Sequence, residues 1–432
     1  MSSTISEPIL IIGGGISGLC LAQGLKKLNI PFKVFERDAE VAARAQGYRI
    51  RLIDGCRVID EVVPAEIAAL FHATTAIFEY GLHSYDAITG EVRPFVETQE
   101  GAEQVPAGIR RFVAQTDGDR NPPAAASVDR RVLRDVLMTG IADHVVFGKA
   151  YSHFEVGPGG ADCVTAYFTD GSSERGRLLV GADGKRSAVR KQYLPDHVLL
   201  DTGLGGFYGK TPLTAELRRI FEQNTDLKGL VVVSDTQTLT TPLDLLMEEM
   251  VWSPETRDKD AVVQVPDDYI YWVLLSERAS MPFSEEELTG HLRHGDAAVQ
   301  ATVELTKSWT PALRKIIAGQ APQETSYISV HSASPRMKAW KPSRYVILVG
   351  DAIHGMPPFA AQGANTALRG VQMLYRVIEQ HGVAGLTEDM IGRFEAELRA
   401  LAVENIEQSF ESARAAFRLK SPKEYEPSKA RY

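Results

Sequence analysis

The stretch PILIIGGGISGLCLAQGLKKLNIPFKVFERD, residues 8–38, decides the fold. Ile9 to Ile12 is an unbroken apolar run of the kind found in a parallel strand covered on both faces. Gly13, Gly15 and Gly18 follow as G-x-G-x-x-G, and Ile16, Leu19, Leu21, Ala22, Leu25 and Leu28 line one side of a predicted helix. A second strand, Phe32 to Phe35, ends at Glu36, about 20 residues beyond the glycines. Gly13 permits the tight turn, Gly15 lets a pyrophosphate approach the backbone, and Gly18 lets helix and strand pack closely. The helix start offers unpaired N–H groups and partial positive charge to phosphate, and Glu36 can accept hydrogen bonds from a ribose diol. Strand, glycines, helix, strand and terminal acid in one unit predict a dinucleotide site, and leave NAD and FAD equally open.

The rest of the chain bounds the answer. At 432 residues it exceeds one ordinary domain. Its 44% hydrophobic and 24% charged residues are those of a globular protein, and its formal charge of −9 disfavours nucleic acid or an anionic membrane as partner. Cys20, Cys56 and Cys163 lie far apart, with no histidine at ligand spacing, which predicts neither disulfide nor metal. The N-terminus has no basic segment before its apolar run, and no stretch reaches the roughly 18 apolar residues of a membrane span. The expected location is the cytoplasm, with the chain a monomer or homodimer.

Thr75 to Val96 reads as two strands around a Thr-Gly turn, and SVDRRVLRDVLMTGIAD as a helix capped by Ser127 or Asp129. CVTAYFTDGSSERGRLLVGADG reads as a hairpin through Asp170-Gly171, then a buried strand from Leu178 to Val180. Residues 200–335 change character: GLVVVSD, MVWSP and YIYWVLLSER read as strands, with an acidic helical piece from Ser284 to His294. YVILVGDAIHGMPPFAAQGANTALRG, residues 345–370, brings a second strand, glycine turn and helix, and a long amphipathic helix opened by Thr387 follows.

Three signals, GxGxxG at 13–18, VGADGKRSAVR at 180–190 and VILVGDAIHGMPPFAAQGAN at 346–365, together resemble the single-component FAD-dependent monooxygenases, the aromatic hydroxylase type related to p-hydroxybenzoate hydroxylase. The resemblance implies an α/β fold: a Rossmann-like FAD-binding domain with a parallel sheet, an inserted mainly antiparallel β substrate domain, and a long C-terminal helix. The corresponding division is 1–75, 112–190 and 336–395 for FAD, 76–111 and 191–335 for substrate, and 396–432 for the helix and tail. It also answers why there are two glycine turns: the first holds the ADP half of FAD and the second the flavin half.

Carried over residue by residue, Gly13, Gly15 and Gly18 line the pyrophosphate, Glu36 binds the adenosine ribose with Arg37 beside it, and Arg130 or its neighbour Arg131 reaches the cofactor. Asp183 and Gly184 match the family's Asp-Gly motif. Gly350 and Asp351 meet the ribityl chain, Pro357 and Pro358 flank the isoalloxazine, and Gly363, Ala364 and Asn365 set helix N–H groups against its pyrimidine edge. Gly47 and Arg49 fall in GYRIRLI, which the family routes past the flavin; Arg49 and Arg51 share a strand face and could pair with cofactor, anionic substrate or neither. Two departures stand out: Ala361 where the family has glycine, and Arg369 where an acid is common.

The resemblance implies NADPH or NADH as electron donor, O₂ as cosubstrate, a C4a-hydroperoxyflavin, and hydroxylation or epoxidation of an aromatic or polycyclic small molecule. Tyr208 and Lys210 are candidates for touching that substrate, while Tyr269, Tyr271 and Trp272 read either as core or as pocket lining. The alternatives are a halogenase or FAD-linked reductase of the same fold, or a non-catalytic FAD-binding protein that sequesters a ligand. None of the four tryptophans falls in the WxWxIP segment of the halogenases. His354 reads as a satisfied turn histidine, and His291 and His294 as a solvated helix face.

Overall fold

The computed structural model describes residues 7–40, 48–77, 81–93, 125–157, 162–223, 229–257, 260–417 and 420–425. Gly47 and parts of the predicted Thr75–Val96 strand pair lie outside them. The nucleotide half is built on a five-stranded parallel sheet of β1 (Ile9–Ile12), β2 (Phe32–Phe35), β6 (Val145–Val146), β10 (Leu178–Gly181) and β16 (Val346–Leu348). Their spatial order is β16-β10-β1-β2-β6, with Ile9 opposite both Phe32 and Leu178. Ile9, Leu10 and Ile11 are fully buried, as their unbroken apolar run requires. The helices Ile16–Lys27, Arg130–Met138 and Gly363–His381 pack together over this sheet.

Two small antiparallel sheets complete this half: β3 (Arg49–Leu52) with β5 (Ala126–Asp129), and β7 (Tyr151–Val156), β8 (Val164–Phe168) and β9 (Ser173–Gly176). The predicted hairpin at Asp170-Gly171 joins β8 to β9, with Gly171 at φ +83°.

The second half is a six-stranded sheet in the order β15-β11-β14-β13-β12-β4. Its members are β4 (Leu82–Asp86), β11 (Leu200–Pro212), β12 (Leu230–Asp235), β13 (Leu243–Met250), β14 (Tyr269–Glu277) and β15 (Ser326–Ser332). All its pairings are antiparallel except β4 with β12. Alternation assigns its two faces. Ile270, Trp272 and Leu274 face a helical layer with Ala298, Leu305, Leu313 and Ile316, whereas Tyr269, Tyr271, Val273 and Leu275 face the nucleotide half.

Three sequence expectations are corrected here. β13 ends at Met250, where MVWSP was expected to begin a strand; the acidic pair Glu248-Glu249 masks its alternation. The helices Gly295–Leu305 and Pro311–Ala318 were not expected, because the buried side of the first is mostly small (Ala298, Ala301, Thr302) and carries little apolar periodicity. The division at 395/396 falls inside one continuous helix, Glu388–Phe417, so the chain has no structural break there.

Candidate active site

The first turn is closed by contacts that admit only glycine. Gly13 sits at φ +111°, and a Cβ there would lie 2.4 Å from the Ala182 carbonyl oxygen. A Cβ on Gly18 would lie 2.1 Å from the Gly13 carbonyl oxygen, which is how the helix starts so close to β1. A Cβ on Gly15 would meet nothing within 4 Å. The Ile16–Lys27 helix begins at Gly15 with no side-chain cap and no acid in its first turn, so its N–H groups and partial positive charge face outward from the loop.

Glu36 is buried at the end of β2 and accepts from Gly14 N–H (2.9 Å) and Asp38 N–H (3.0 Å). Arg134, which sequence reasoning missed, completes this knot. Its Nε donates to the Gly14 carbonyl at 2.8 Å and its guanidinium lies 3.6 Å from Glu36. Burial lowers the pKa of Arg134, and Glu36 opposes that shift. The only sequence signal was its place one turn after Arg130. Of the two arginines left open, Arg131 is exposed, while the Arg130 guanidinium lies 5.4 Å from the Tyr48 ring centroid. Asp129 caps this helix through Arg131 N–H and Val132 N–H. Arg37 is exposed.

A second cradle lies at the ends of β10 and β16. Asp183 uses one oxygen to accept from Ala188 N–H at 2.7 Å; its Oδ1 is buried with no hydrogen-bond partner among the described residues. Burial pushes the Asp183 carboxyl up. Gly184 sits at φ +75°, with nothing within 4 Å of an added Cβ. Gly350, at φ +64°, turns the chain so that Asp351 is exposed, and a Cβ on it would strike Ser17 Oγ at 2.3 Å. Lys185, another residue sequence reasoning missed, is lowered by burial and raised by nearby Asp351. Pro358 is exposed, and Ala361 adopts a left-handed conformation at φ +51°.

The Gly363–His381 helix likewise begins without side-chain cap or first-turn acid, which leaves the N–H groups of Gly363, Ala364 and Asn365 for a ligand. The Asn365 side chain is fully used: it accepts from Ile53 N–H and Gly55 N–H and donates to the Arg51 and Ala361 carbonyls. It clamps β3 to this helix. His354 is buried as well, but neither ring nitrogen has a hydrogen-bond partner among the described residues, so the expectation of a satisfied histidine is corrected. Two uncapped helix starts, a glycine loop with open approach and an unpartnered Asp183 oxygen fit a long two-headed ligand of the FAD type.

Facing these cradles is the inner face of the second sheet. Tyr48 and Tyr208 have ring centroids 5.9 Å apart, and both pack, as do Leu246 and Phe359, against the cluster that holds Tyr271 and Val273. The Tyr208 phenol is pushed up by burial and by its neighbours Tyr271 and Tyr48, so it stays protonated at neutral pH. Lys210 is committed elsewhere: its Nζ lies 2.7 Å from Asp129 and 3.6 Å from Glu324, and Tyr269 OH donates to the same Asp129 oxygen at 2.8 Å. Arg49 also has a partner within the chain, Glu248 at 2.6 Å. Trp272 points into the core and donates to Thr211 at 3.1 Å. His291 and His294 are exposed. No group of three His, Cys, Asp or Glu among the described residues could hold a metal ion, and none of the described helices is long and apolar enough to cross a membrane.

A sequence profile of the FAD binding domain family matches residues 6–408. The chain is 36% identical to the dual O-methyltransferase/FAD-dependent monooxygenase elcB of Phaeosphaeria nodorum, over 95% of this chain and 46% of that protein. It thus spans about half the length of that relative. It is 26% identical to the FAD-dependent monooxygenase thnD of Trichoderma harzianum, over 93% of this chain and 92% of that one. The solved structure of Klebsiella pneumoniae HpxO with FAD and uric acid shares the fold, with TM-score 0.66, 20% identity, and coverage of 95% and 89%. Consistent with its two cradles, the chain belongs to the FAD binding domain family.

Proposed function

We propose that this chain is the catalytic unit of an FAD-dependent monooxygenase that takes electrons from NADPH or NADH and inserts one atom of O₂ into an aromatic or polycyclic small molecule. The observation that carries this reading is the tyrosine-lined inner sheet face, set opposite a cradle suited to a flavin. FAD, once reduced, supplies the oxygen activation. The chain's own residues bind, orient and exclude water.

Gly13, Gly15 and Gly18, with Arg130, would hold the pyrophosphate and Glu36 the ribose; Asp183, Gly184, Gly350 and Asp351 would meet the rest of the chain toward the flavin. The Gly363 helix start would set positive charge against the flavin's pyrimidine edge, where negative charge gathers on reduction. Tyr208, held neutral, would donate its O–H to a substrate oxygen and favour the phenolate, the more nucleophilic form. Leu246, Val273 and Phe359 would keep water from the reacting atoms. Lys210 acts as a positioning residue: through Asp129 it ties β11 to the start of the Arg130 helix. An O-methyltransferase joined to a monooxygenase in one relative supports a phenol-derived substrate. Three buried, unpaired cysteines fit a reducing compartment such as the cytoplasm.

The test is purification of the chain with its flavin spectrum, then NAD(P)H oxidation and isotopically labelled O₂ incorporation with a panel of phenols. Label in an aromatic product is the expected result. Saturable phenol binding with no NAD(P)H turnover would instead support a ligand-sequestering protein.

A further inference from the structure

Among the described residues, Arg49, Arg51 and Lys210 reach the inner sheet face already engaged by carboxylates of the chain, the two arginines by one they share. Glu248 Oε2 lies 2.6 Å from Arg49 and 2.7 Å from Arg51, while Ser127 Oγ donates to Glu248 Oε1 at 2.6 Å. The Glu248 side chain is only 4% exposed. Burial works to raise its carboxyl, but the two guanidiniums and the Ser127 hydroxyl outweigh it and hold the pKa below the ordinary range. Lys210 is matched in the same way by Asp129 and Glu324.

Strand register places this charge beside the aromatic cluster. Glu248, Tyr271 and Lys210 form one row across β13, β14 and β11; the next row on that face is Leu246, Val273 and Tyr208. The Arg49 guanidinium lies 5.2 Å from the Tyr271 ring centroid, so it borders the tyrosine cluster of the sheet face. A ligand carboxylate brought to Arg49 would share that guanidinium with Glu248. It would be desolvated for little return, and it would face a like charge.

We propose that Glu248 is a specificity-determining residue: by occupying Arg49 and Arg51 and setting its own negative charge beside the tyrosines, it biases the site toward uncharged, oxygen-bearing arenes and against aromatic carboxylates. This rests on the aromatic-substrate reading above. A repulsive element of this kind is a common way to discriminate between ligands of one shape. A purely structural pair would hold β3 to β13 equally well but would leave the charge preference of the pocket unchanged when altered.

The experiment titrates the FAD-loaded protein with 1-naphthol and with 1-naphthoate and follows the flavin absorbance. Wild type is expected to bind the naphthol roughly tenfold or more tightly than the naphthoate. Glu248→Gln should raise naphthoate affinity by roughly tenfold, and adding Arg49→Leu should abolish that gain. Equal affinity of wild type for both ligands would overturn the proposal whether or not any variant folds. So would unchanged selectivity in a Glu248→Gln protein that retains FAD, or a gain that survives Arg49→Leu. Should neither arene perturb the flavin, the aromatic reading itself falls, and this inference with it.

Discussion

The nucleotide cradle and the aromatic sheet face do their work with different parts of the chain. The cradle is main chain: a loop at Gly13 to Gly18, two uncapped helix starts and a turn at Gly350, all arranged so that backbone N–H groups can reach a ligand. The sheet face is side chain: Tyr48, Tyr208, Tyr271 and Phe359 above a row of matched charges. A backbone site is damaged by adding atoms. A side-chain site is damaged by changing chemistry, and it can be retuned without losing the fold. The cofactor end should therefore respond to substitution in an all-or-none way, and the substrate end by degrees.

Gly13→Ala gives the sharpest test. The methyl would combine left-handed strain at φ +111° with an overlap 2.4 Å from a carbonyl oxygen, on the order of 4 kcal/mol together. The expected outcome is a protein that purifies without flavin absorbance and with a much lower Tm. Full FAD occupancy in Gly13→Ala would break the claim that this turn admits only glycine.

Lys210→Met comes next, and it separates positioning from chemistry. Asp129 is fully buried and would keep Tyr269 OH and its two cap N–H groups but lose its cation, a cost of about 3 kcal/mol. Lys210→Met/Asp129→Asn should recover much of that Tm. Normal stability in Lys210→Met, with lost product, would instead put the lysine in the reaction.

How legible each region was follows from the same contrast. Gly13, Gly15, Gly18 and Glu36 are read from spacing, because the loop, the helix and the acid lie within one unit of chain. The Ser127–Glu248 bond spans 121 residues and the Lys210–Asp129 pair 81, so no local pattern announces either. Arg49 and Arg51 could be placed on one strand face, but their common partner was hidden in an acidic strand that did not read as one. Trp272 and Tyr271 are neighbours in sequence and face opposite cores, which alternation predicts; which face meets the cofactor half is fixed only by packing.

Arg134→Ala sharpens the cofactor side. It removes a charged hydrogen bond to the Gly14 carbonyl and a cation near Glu36, worth about 2 kcal/mol. The loss should appear both in Tm and in FAD affinity, since the arginine holds the glycine loop in shape. Ala361→Gly should run the other way. Relief of left-handed strain at φ +51° should stabilise the protein by about 1 kcal/mol, read as a rise in Tm.

The smallest expected change in stability carries the most about function. Tyr208→Phe removes one oxygen from a ring that keeps its packing against Tyr48, so Tm should stay within roughly 0.5 kcal/mol equivalent and FAD should stay bound. The phenol is held neutral, so what is lost is a hydrogen-bond donor at the place where a substrate oxygen would sit. Without that donor the phenolate would be disfavoured and oxygen transfer would slow, while reduction and O₂ uptake, which do not draw on this hydroxyl, would continue. Product per NAD(P)H oxidised should fall, and hydrogen peroxide should rise to make up the difference. The measurement is both yields under one set of conditions, compared with Tyr271→Phe as a second phenol on the same face. Unchanged coupling in Tyr208→Phe would return this residue to packing and leave Tyr48 and Tyr271 as the hydroxyls that meet the substrate.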